Sequence, residues 1–187
     1  MAILFRELKQ YISRVDRLSI CFYDRDGDYE NYSLLSDIPE GKYDSLASYG
    51  VGTAFVEFPL DVYSNPCEEM PKCVSRWSGY DMKSCLEIVL TELPRDIERK
   101  NIEDLCFGDL RNYLQIGGGY CVVMKEDWSS EEYEWQKDIP KEYDSFFVYG
   151  IGLEDLPKDK MESRHFGSIK KQIVIVLSKT PREDIIK

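Results

Sequence analysis

A repeated segment is the feature of this sequence that most restricts its possible folds. Residues 38–52 read IPEGKYDSLASYGVG, and residues 139–152 read IPKEYDSFFVYGIG. With one residue deleted from the second segment, the two share eight identities over about fifteen positions, too many for chance in a chain of this composition. The similarity continues on both sides: LSICFY at 18–23 aligns with YCVVMK at 120–125, and LEIVLTELPRDI at 86–97 resembles IVIVLSKTPREDI at 173–185. The chain is therefore predicted to contain two copies of one structural unit.

The hydrophobic periodicity within each copy predicts an α+β unit. An amphipathic helical pattern opens each copy, a short apolar strand and a polar turn follow, and two further strands close it. The predicted helices cover 2–14 and 101–114, and the predicted strands cover 17–23, 29–35, 47–58 and 85–92 in the first copy and 119–125, 131–136, 146–153 and 172–179 in the second. The Ile-Pro segments are expected to be irregular or 3₁₀. The fold class is thus α+β, two tandem copies of an α-β-β-β-β unit, each with its helix across an antiparallel sheet.

The boundaries of the two copies follow from the alignment. The first repeat is assigned to 1–97, with an insertion near 59–84, and the second to 98–187. Residues 94–100 (PRDIERK) form a short charged junction without the Gly/Ser run of a flexible tether. Because a unit of roughly 90 residues buries only a modest core, we expect the two repeats to pack against each other.

The composition excludes several classes of function. The chain of 187 residues has 35 acidic against 24 basic residues, a formal net charge of -11, which argues against direct binding to nucleic-acid phosphates. No apolar run approaches the roughly 20 residues of a membrane span. The N-terminal segment lacks the apolar stretch of a signal peptide, so a cytoplasmic location and free thiols at the six cysteines are expected.

Motifs for metal or nucleotide binding are incomplete. The run Asp24–Asp28 begins like a calcium loop, but Tyr29 and Leu35 stand where glycine and glutamate are required, so a hairpin turn is expected instead. Gly117–Gly119 follow a helix and precede a strand, the reverse of a phosphate-binding loop, and fit a helix C-cap.

Catalytic and zinc-binding motifs are also incomplete. Cys67 and Cys73 are spaced C-x₅-C, and the only histidine, His165, lies in the other copy. No nucleophile motif accompanies His165. No metal, cofactor or catalytic residue is therefore predicted.

The two predicted hairpins concentrate negative charge. Both copies are acidic, with 17 acids against 10 bases in 1–97 and 18 against 14 in 98–187. Exposed carboxylates can pair with the basic side chains that normally hold phosphates, and tryptophan anchors many protein interfaces. The alternative is an acidic face that only prevents aggregation. The predicted partner-binding residues are Asp24, Asp26, Asp28 and Glu30 in the first hairpin, and Glu126, Asp127, Trp128, Glu131, Glu132, Glu134 and Trp135 in and just after the second.

The order of helix, strand, acidic hairpin, Ile-Pro segment, Tyr-Gly-x-Gly and apolar final strand resembles a group of small acidic proteins. Those proteins are carried by mobile elements and phages of gut Firmicutes, and the segments that carry the resemblance are IPEGKYDSLASYGVG and DIPKEYDSFFVYGIG. Some small acidic proteins of such elements are anti-restriction or anti-CRISPR proteins. The resemblance implies inhibition of a host nuclease without fixing the target, and it carries over no catalytic residue.

Three functions are left by the sequence. The leading one is a non-enzymatic inhibitor that occupies the basic nucleic-acid-binding surface of a bacterial defence nuclease, such as a CRISPR effector, without binding nucleic acid or membrane itself. The second is an enzyme whose site is assembled at the repeat interface from dispersed residues such as His165 with Cys73 or Cys85. The third is a structural or regulatory module that self-associates through exposed strand edges.

Overall fold

The computed structural model describes residues 3–13, 15, 17–24, 28–57, 82–92, 104–114, 119–156 and 171–183. These residues form two four-stranded sheets with a few short helices. We call the part up to residue 92 the first half and the part from residue 104 the second half. The predicted α+β class is confirmed at this level. Residues 59–81 of the predicted insertion (59–84), the junction at 94–100, Cys67, Cys73 and His165 lie outside the described residues, and residues 82–84 belong to a strand.

Each half follows the same order of elements. The first half contains α1 (Phe5–Leu8), β1 (Leu18–Phe22), β2 (Tyr29–Tyr32), a 3₁₀ helix (Leu35–Asp37), β3 (Ala47–Glu57) and β4 (Met82–Thr91). The second half contains α2 (Phe107–Arg111), β5 (Tyr120–Met124), β6 (Ser130–Tyr133), two 3₁₀ helices (Gln136–Asp138 and Lys141–Ser145), β7 (Phe147–Asp155) and β8 (Lys171–Ser178). The strand order is β2-β1-β4-β3 in the first sheet and β6-β5-β8-β7 in the second.

The sheets are mixed, so the prediction of antiparallel sheets is wrong. The last strand of each half lies in the middle of its sheet, parallel to β1 or β5 and antiparallel to β3 or β7. In each half the chain passes from the hairpin to the far edge strand, β3 or β7, and then returns along the centre of the sheet as β4 or β8. These last strands, β4 and β8, are also the most apolar runs in the sequence, which accounts for their central position.

The helices are much shorter than predicted. Among the described residues only Phe5–Leu8 and Phe107–Arg111 are α-helical, although the apolar periodicity spans 2–14 and 101–114. The residues on either side of each helix pair with strand edges instead. Ser48 donates its backbone N–H to the carbonyl of Ile3, and Val148 does so to the carbonyl of Leu105. These pairings supply backbone hydrogen bonds that would otherwise have extended the helix.

The segment after each helix crosses to the other half. The backbone N–H of Ile151 in β7 donates to the carbonyl of Tyr11 (2.7 Å), and the N–H of Ser13 donates to the carbonyl of Ile151 (2.7 Å). In the opposite direction, the N–H of Val51 in β3 donates to the carbonyl of Tyr113 (2.7 Å). Each half thus covers part of the outer edge of the other half's sheet.

Two tyrosine hydroxyls reinforce this exchange. The hydroxyl of Tyr11 accepts a hydrogen bond from the backbone N–H of Leu105 at 3.1 Å, and that of Tyr113 accepts one from the N–H of Ile3. Burial raises the pKa of both tyrosines. The core is accordingly continuous, since buried residues of both sheets, from Leu18 in β1 to Ile175 in β8, belong to one cluster.

Candidate partner-binding surface

Two of the predicted interface carboxylates hold the ends of the central strands. Asp24 accepts hydrogen bonds from the Oγ1 of Thr91 (2.5 Å) and the backbone N–H of Glu92 (3.0 Å). Glu126 occupies the same place after β5 and accepts from the Oγ of Ser178 (2.7 Å) and the next backbone N–H (2.8 Å). These bonds hold the pKa of Glu126 below its usual value. Both side chains therefore join the start of the hairpin turn to the end of the neighbouring central strand, β4 or β8.

Asp127 and Trp128 form the tip of the second hairpin. The Oδ1 of Asp127 accepts hydrogen bonds from the backbone N–H (2.9 Å) and the Oγ (2.6 Å) of Ser129, and these bonds lower the pKa of Asp127. Trp128 has a φ of 57°, a left-handed conformation that is rare for a residue other than glycine, asparagine or aspartate. Trp128 is 62% exposed, the largest value among the exposed large hydrophobic residues that the structure describes. The turn thus presents the indole to solvent from a backbone fixed by Asp127.

Strand geometry divides the remaining predicted acids of the second hairpin between two faces. Glu131 pairs with Val122, whereas Glu132 pairs with the neighbouring Cys121. Because successive side chains of a strand point to opposite faces, these two exposed carboxylates do not form one patch. Glu134 follows the strand and is exposed, and Trp135 is half-buried. The predicted set is therefore distributed around the outer strand β6.

The first hairpin exposes less free charge than predicted. Asp28 is exposed, Asp26 lies outside the described residues, and Glu30 forms an ion pair with Lys42. This ion pair and the hydrogen bonds around it lower the pKa of Glu30. Within the described part of the first hairpin, the charge of Glu30 is thus balanced by Lys42.

Glu30 lies in a compact cluster with Tyr32 and Tyr43, and we call these three residues the first cradle. The ammonium group of Lys42 is bound by this cradle. Tyr32 donates its hydroxyl to the Oε2 of Glu30 at 2.8 Å, and its oxygen lies 2.7 Å from the hydroxyl of Tyr43. The Nζ of Lys42 donates to Glu30 and to the hydroxyl oxygen of Tyr32 (3.0 Å). It also lies 5.1 Å from the centre of the Tyr43 ring. One ammonium group is thus held by a carboxylate, a phenol oxygen and an aromatic face.

The second half contains the corresponding cluster without the lysine, and we call it the second cradle (Glu131, Tyr133 and Tyr143). Tyr133 donates its hydroxyl to the Oε2 of Glu131, and the hydroxyl of Tyr143 lies 3.4 Å from the same oxygen. The residue before Tyr143 is Glu142, where the first half has Lys42 before Tyr43. Sequence reasoning missed both cradles, although the shared tyrosine of the repeated segment, Tyr43 or Tyr143, was a visible signal.

A cleft of about 250 Å³ opens beside Trp128 on the outer face of the second sheet. Its lining includes Trp128 and Tyr149, two strand glycines, and the oppositely charged Lys125 and Glu154. The Nζ of Lys125 lies 3.5 Å from the centre of the Tyr149 ring, so the protein's own cation covers that aromatic face. The residues that line the cleft are Ser13, Lys125, Trp128, Tyr149, Gly150, Gly152, Leu153, Glu154, Val174 and Val176.

Of the residues considered for an enzymatic site, the structure describes Cys85. Cys85 is fully buried, donates its thiol to the carbonyl of Ala54, and has a pKa raised by burial to about 12. A thiol in that state is a poor nucleophile near neutral pH. Within the described ranges, no three His, Cys, Asp or Glu side chains are grouped so that they could hold a metal ion. The part of the chain that the structure describes also has no helix long and apolar enough to span a membrane.

Comparisons with protein-family models, with curated proteins and with solved structures found no match to this chain. Function is therefore inferred from the residues of the surface itself.

Proposed function

We propose that this protein is a non-enzymatic binding protein that covers a basic surface of another protein. The specific form of the proposal is an inhibitor of a bacterial defence nuclease, such as a CRISPR effector, whose nucleic-acid-binding groove it occupies. The observation that carries the proposal is the exposed indole of Trp128 on a turn held by Asp127, next to the acidic strand β6.

The geometry supports binding because the anchor is already ordered. Tryptophan is among the residues most enriched in interface hot spots, and a fixed backbone reduces the entropy lost on association. Asp127 and Glu126 hold that backbone through their own hydrogen bonds. Glu131 and Glu132 in β6, and Glu134 just after it, place exposed carboxylates on the strand that follows the Trp128 turn.

The net charge supports a basic target. At -11 the protein attracts positively charged surfaces over distances comparable to the Debye length, which accelerates encounter at low ionic strength. The grooves that hold nucleic acids are rich in lysine and arginine, so they are the natural complement.

We further infer that the chain arose by duplication of one α-β-β-β-β unit, with repeats at 1–97 and 98–187. The sequence identities support this, as does the common strand order of the two sheets. A register shift falls at equivalent positions, between Ser48 and Gly50 and between Val148 and Gly150. On this view the two repeats diverged at the residue before the shared tyrosine, which is Lys42 in the first and Glu142 in the second.

The test uses the immobilised full-length protein and extracts of bacteria that carry restriction and CRISPR systems, at low salt and at about 0.5 M salt, where the Debye length falls to roughly 4 Å. We expect capture of a nuclease at low salt, weaker capture at high salt, and inhibition of DNA cleavage by the captured enzyme. The Trp128→Ala variant should bind at least about tenfold more weakly, the cost of removing one hot-spot side chain.

Tyr29→Ala provides the matched control, because Tyr29 is a similarly exposed aromatic residue (53%) on the first hairpin. It should bind like the wild type. Equal binding by the Trp128→Ala variant and the wild type, or no capture at either salt concentration, would contradict the proposal.

A further inference from the structure

The two cradles differ in one functional respect: the first contains its own cation and the second does not. Lys42 bonds to the carboxylate and one phenol of the first cradle. In the second cradle, no ion pair to Glu131 is formed by the residues that the structure describes. We propose that the second cradle, Glu131 with Tyr133 and Tyr143, binds the ammonium group of a lysine side chain on the partner protein.

Lys42 shows how an ammonium group fits such a site. The strand register places Glu30 opposite Ile20 and Glu131 opposite Val122, and these positions correspond in the two sheets. In the first cradle the phenol of Tyr32 donates to the carboxylate, which leaves its oxygen free to accept from the ammonium. Tyr133 already donates to Glu131 in the same manner. The second cradle is therefore arranged for an incoming ammonium without a change of hydrogen-bond direction at Tyr133.

The second cradle is also accessible and more negative than the first. Glu131 is exposed, and Tyr133 and Tyr143 are half-buried. The exchange of Lys42 for Glu142 at the corresponding position replaces a positive charge with a negative one. Lys141 adjoins Glu142 in the chain but forms no ion pair with Glu131. The carboxylate of Glu131 is therefore exposed and has no ammonium partner among the described residues.

The geometry favours lysine over arginine. Lys42 is held by one carboxylate oxygen, one phenol oxygen and a ring face, which together surround a compact point charge. Arginine binds a carboxylate most strongly through two parallel hydrogen bonds, one to each carboxylate oxygen. In the second cradle both phenols lie against the same oxygen of Glu131, Oε2. Both phenols donate to Oε2, so Oε1 is the oxygen left for an incoming cation, and the two-oxygen contact of arginine is not available.

The test needs no partner protein. Nα-acetyl-lysine methylamide is titrated into the full-length protein, and the ring signals of Tyr133 and Tyr143 are followed by NMR. We expect saturable shifts with a dissociation constant of about 1 mM or weaker, and none with the matched Nε-acetylated probe, which lacks the charge. Tighter binding of the corresponding arginine derivative would overturn the assignment to lysine.

Three variants make the result specific. Glu131→Gln should weaken binding by about tenfold or more, because it removes the charge from the accepting oxygen. Glu142→Lys should abolish the shifts by supplying an internal ammonium. Lys42→Ala should open the first cradle and produce a second set of shifts at Tyr32 and Tyr43. Unchanged binding in Glu142→Lys, or no new shifts in Lys42→Ala, would overturn the inference.

This inference deepens the proposed function and rests on it for the identity of the ligand, yet the two fail separately. A positive probe titration together with a failed capture experiment would overturn the binding-protein proposal alone. A successful capture by the Trp128-centred surface with no response to the lysine probe would overturn the cradle alone.

Discussion

Arg111 connects α2 to the segment that carries the second cradle, and its removal provides a quantitative test of the fold. Its Nε donates to the Oδ1 of Asp144 at 2.6 Å. Its Nη1 and Nη2 donate to the carbonyls of Ile139 (2.8 Å), Gln136 (3.2 Å) and Pro140 (2.8 Å). The Arg111 side chain is only 13% exposed, so water replaces these bonds poorly once the guanidinium is gone. A single cation thus satisfies four acceptors.

The expected cost of Arg111→Ala is about 3–4 kcal/mol of unfolding free energy. A hydrogen bond to a charged group contributes roughly 1.5–3 kcal/mol, and bonds that share one donor group are not additive. The guanidinium also lies 4.7 Å from the centre of the Phe107 ring, a contact worth about 0.5–1 kcal/mol at most sites. This loss of unfolding free energy exceeds the roughly 0–1 kcal/mol that an exposed surface ion pair contributes.

The first half supplies a matched control for this prediction. Lys9 occupies the position corresponding to Arg111 and bonds to Asp44 at 2.5 Å, with each of the two side chains about a third exposed. Lys9→Ala should therefore cost only about 0.2–1 kcal/mol. Urea denaturation followed by circular dichroism measures both values. Equal losses for the two variants would refute the view that the three carbonyl contacts stabilise the second half.

Two further predictions follow from buried tyrosines. Tyr11→Phe leaves the buried N–H of Leu105 without its acceptor, so it should lower the unfolding free energy by about 1–3 kcal/mol. Urea denaturation measures this loss. An unchanged unfolding free energy would exclude the hydroxyl contact between the two halves. Burial raises the pKa of Tyr120 to about 12, from 10 in an unfolded chain, so between these pH values the unfolded form releases a proton that the folded form retains. Its contribution to stability is complete below pH 10 and is lost as the pH rises towards 12. Tyr120→Phe should make the urea midpoint fall less steeply over that range, and an unchanged slope would contradict the assigned pKa.

The sequence predicted the strands better than it predicted their arrangement. The positions of β1, β4, β5 and β8 agree with the apolar runs, because alternation and β-branched residues report on strand formation locally. The mixed order of the sheets depends on which strand pairs with which, and that choice depends on contacts between residues distant in the chain. The helices were overestimated for the same reason, since Tyr11 and Ser13 lie within the predicted helix 2–14 but pair with β7.

The candidate site was predicted in composition but not in detail. Trp128 and Glu131 were chosen from charge and aromatic content, and both are exposed. Asp24 and Glu126 were chosen on the same grounds, yet they accept hydrogen bonds from the ends of β4 and β8. Nothing in a run of acidic residues distinguishes a carboxylate that closes a strand end from one that faces solvent. The distinction requires the partner atoms, which only the fold brings together.

The reciprocal edge pairing has a consequence for synthesis on the ribosome. The edge of β3 at Val51 is covered by the segment at Tyr113 and Leu114, which is translated several seconds later at about 5–20 residues per second. During that interval the nascent first half presents an open strand edge and uncovered core residues. A ribosome stalled between the two halves would therefore release an aggregation-prone fragment, and expression of this protein should depend on chaperones that bind such edges until the second half emerges.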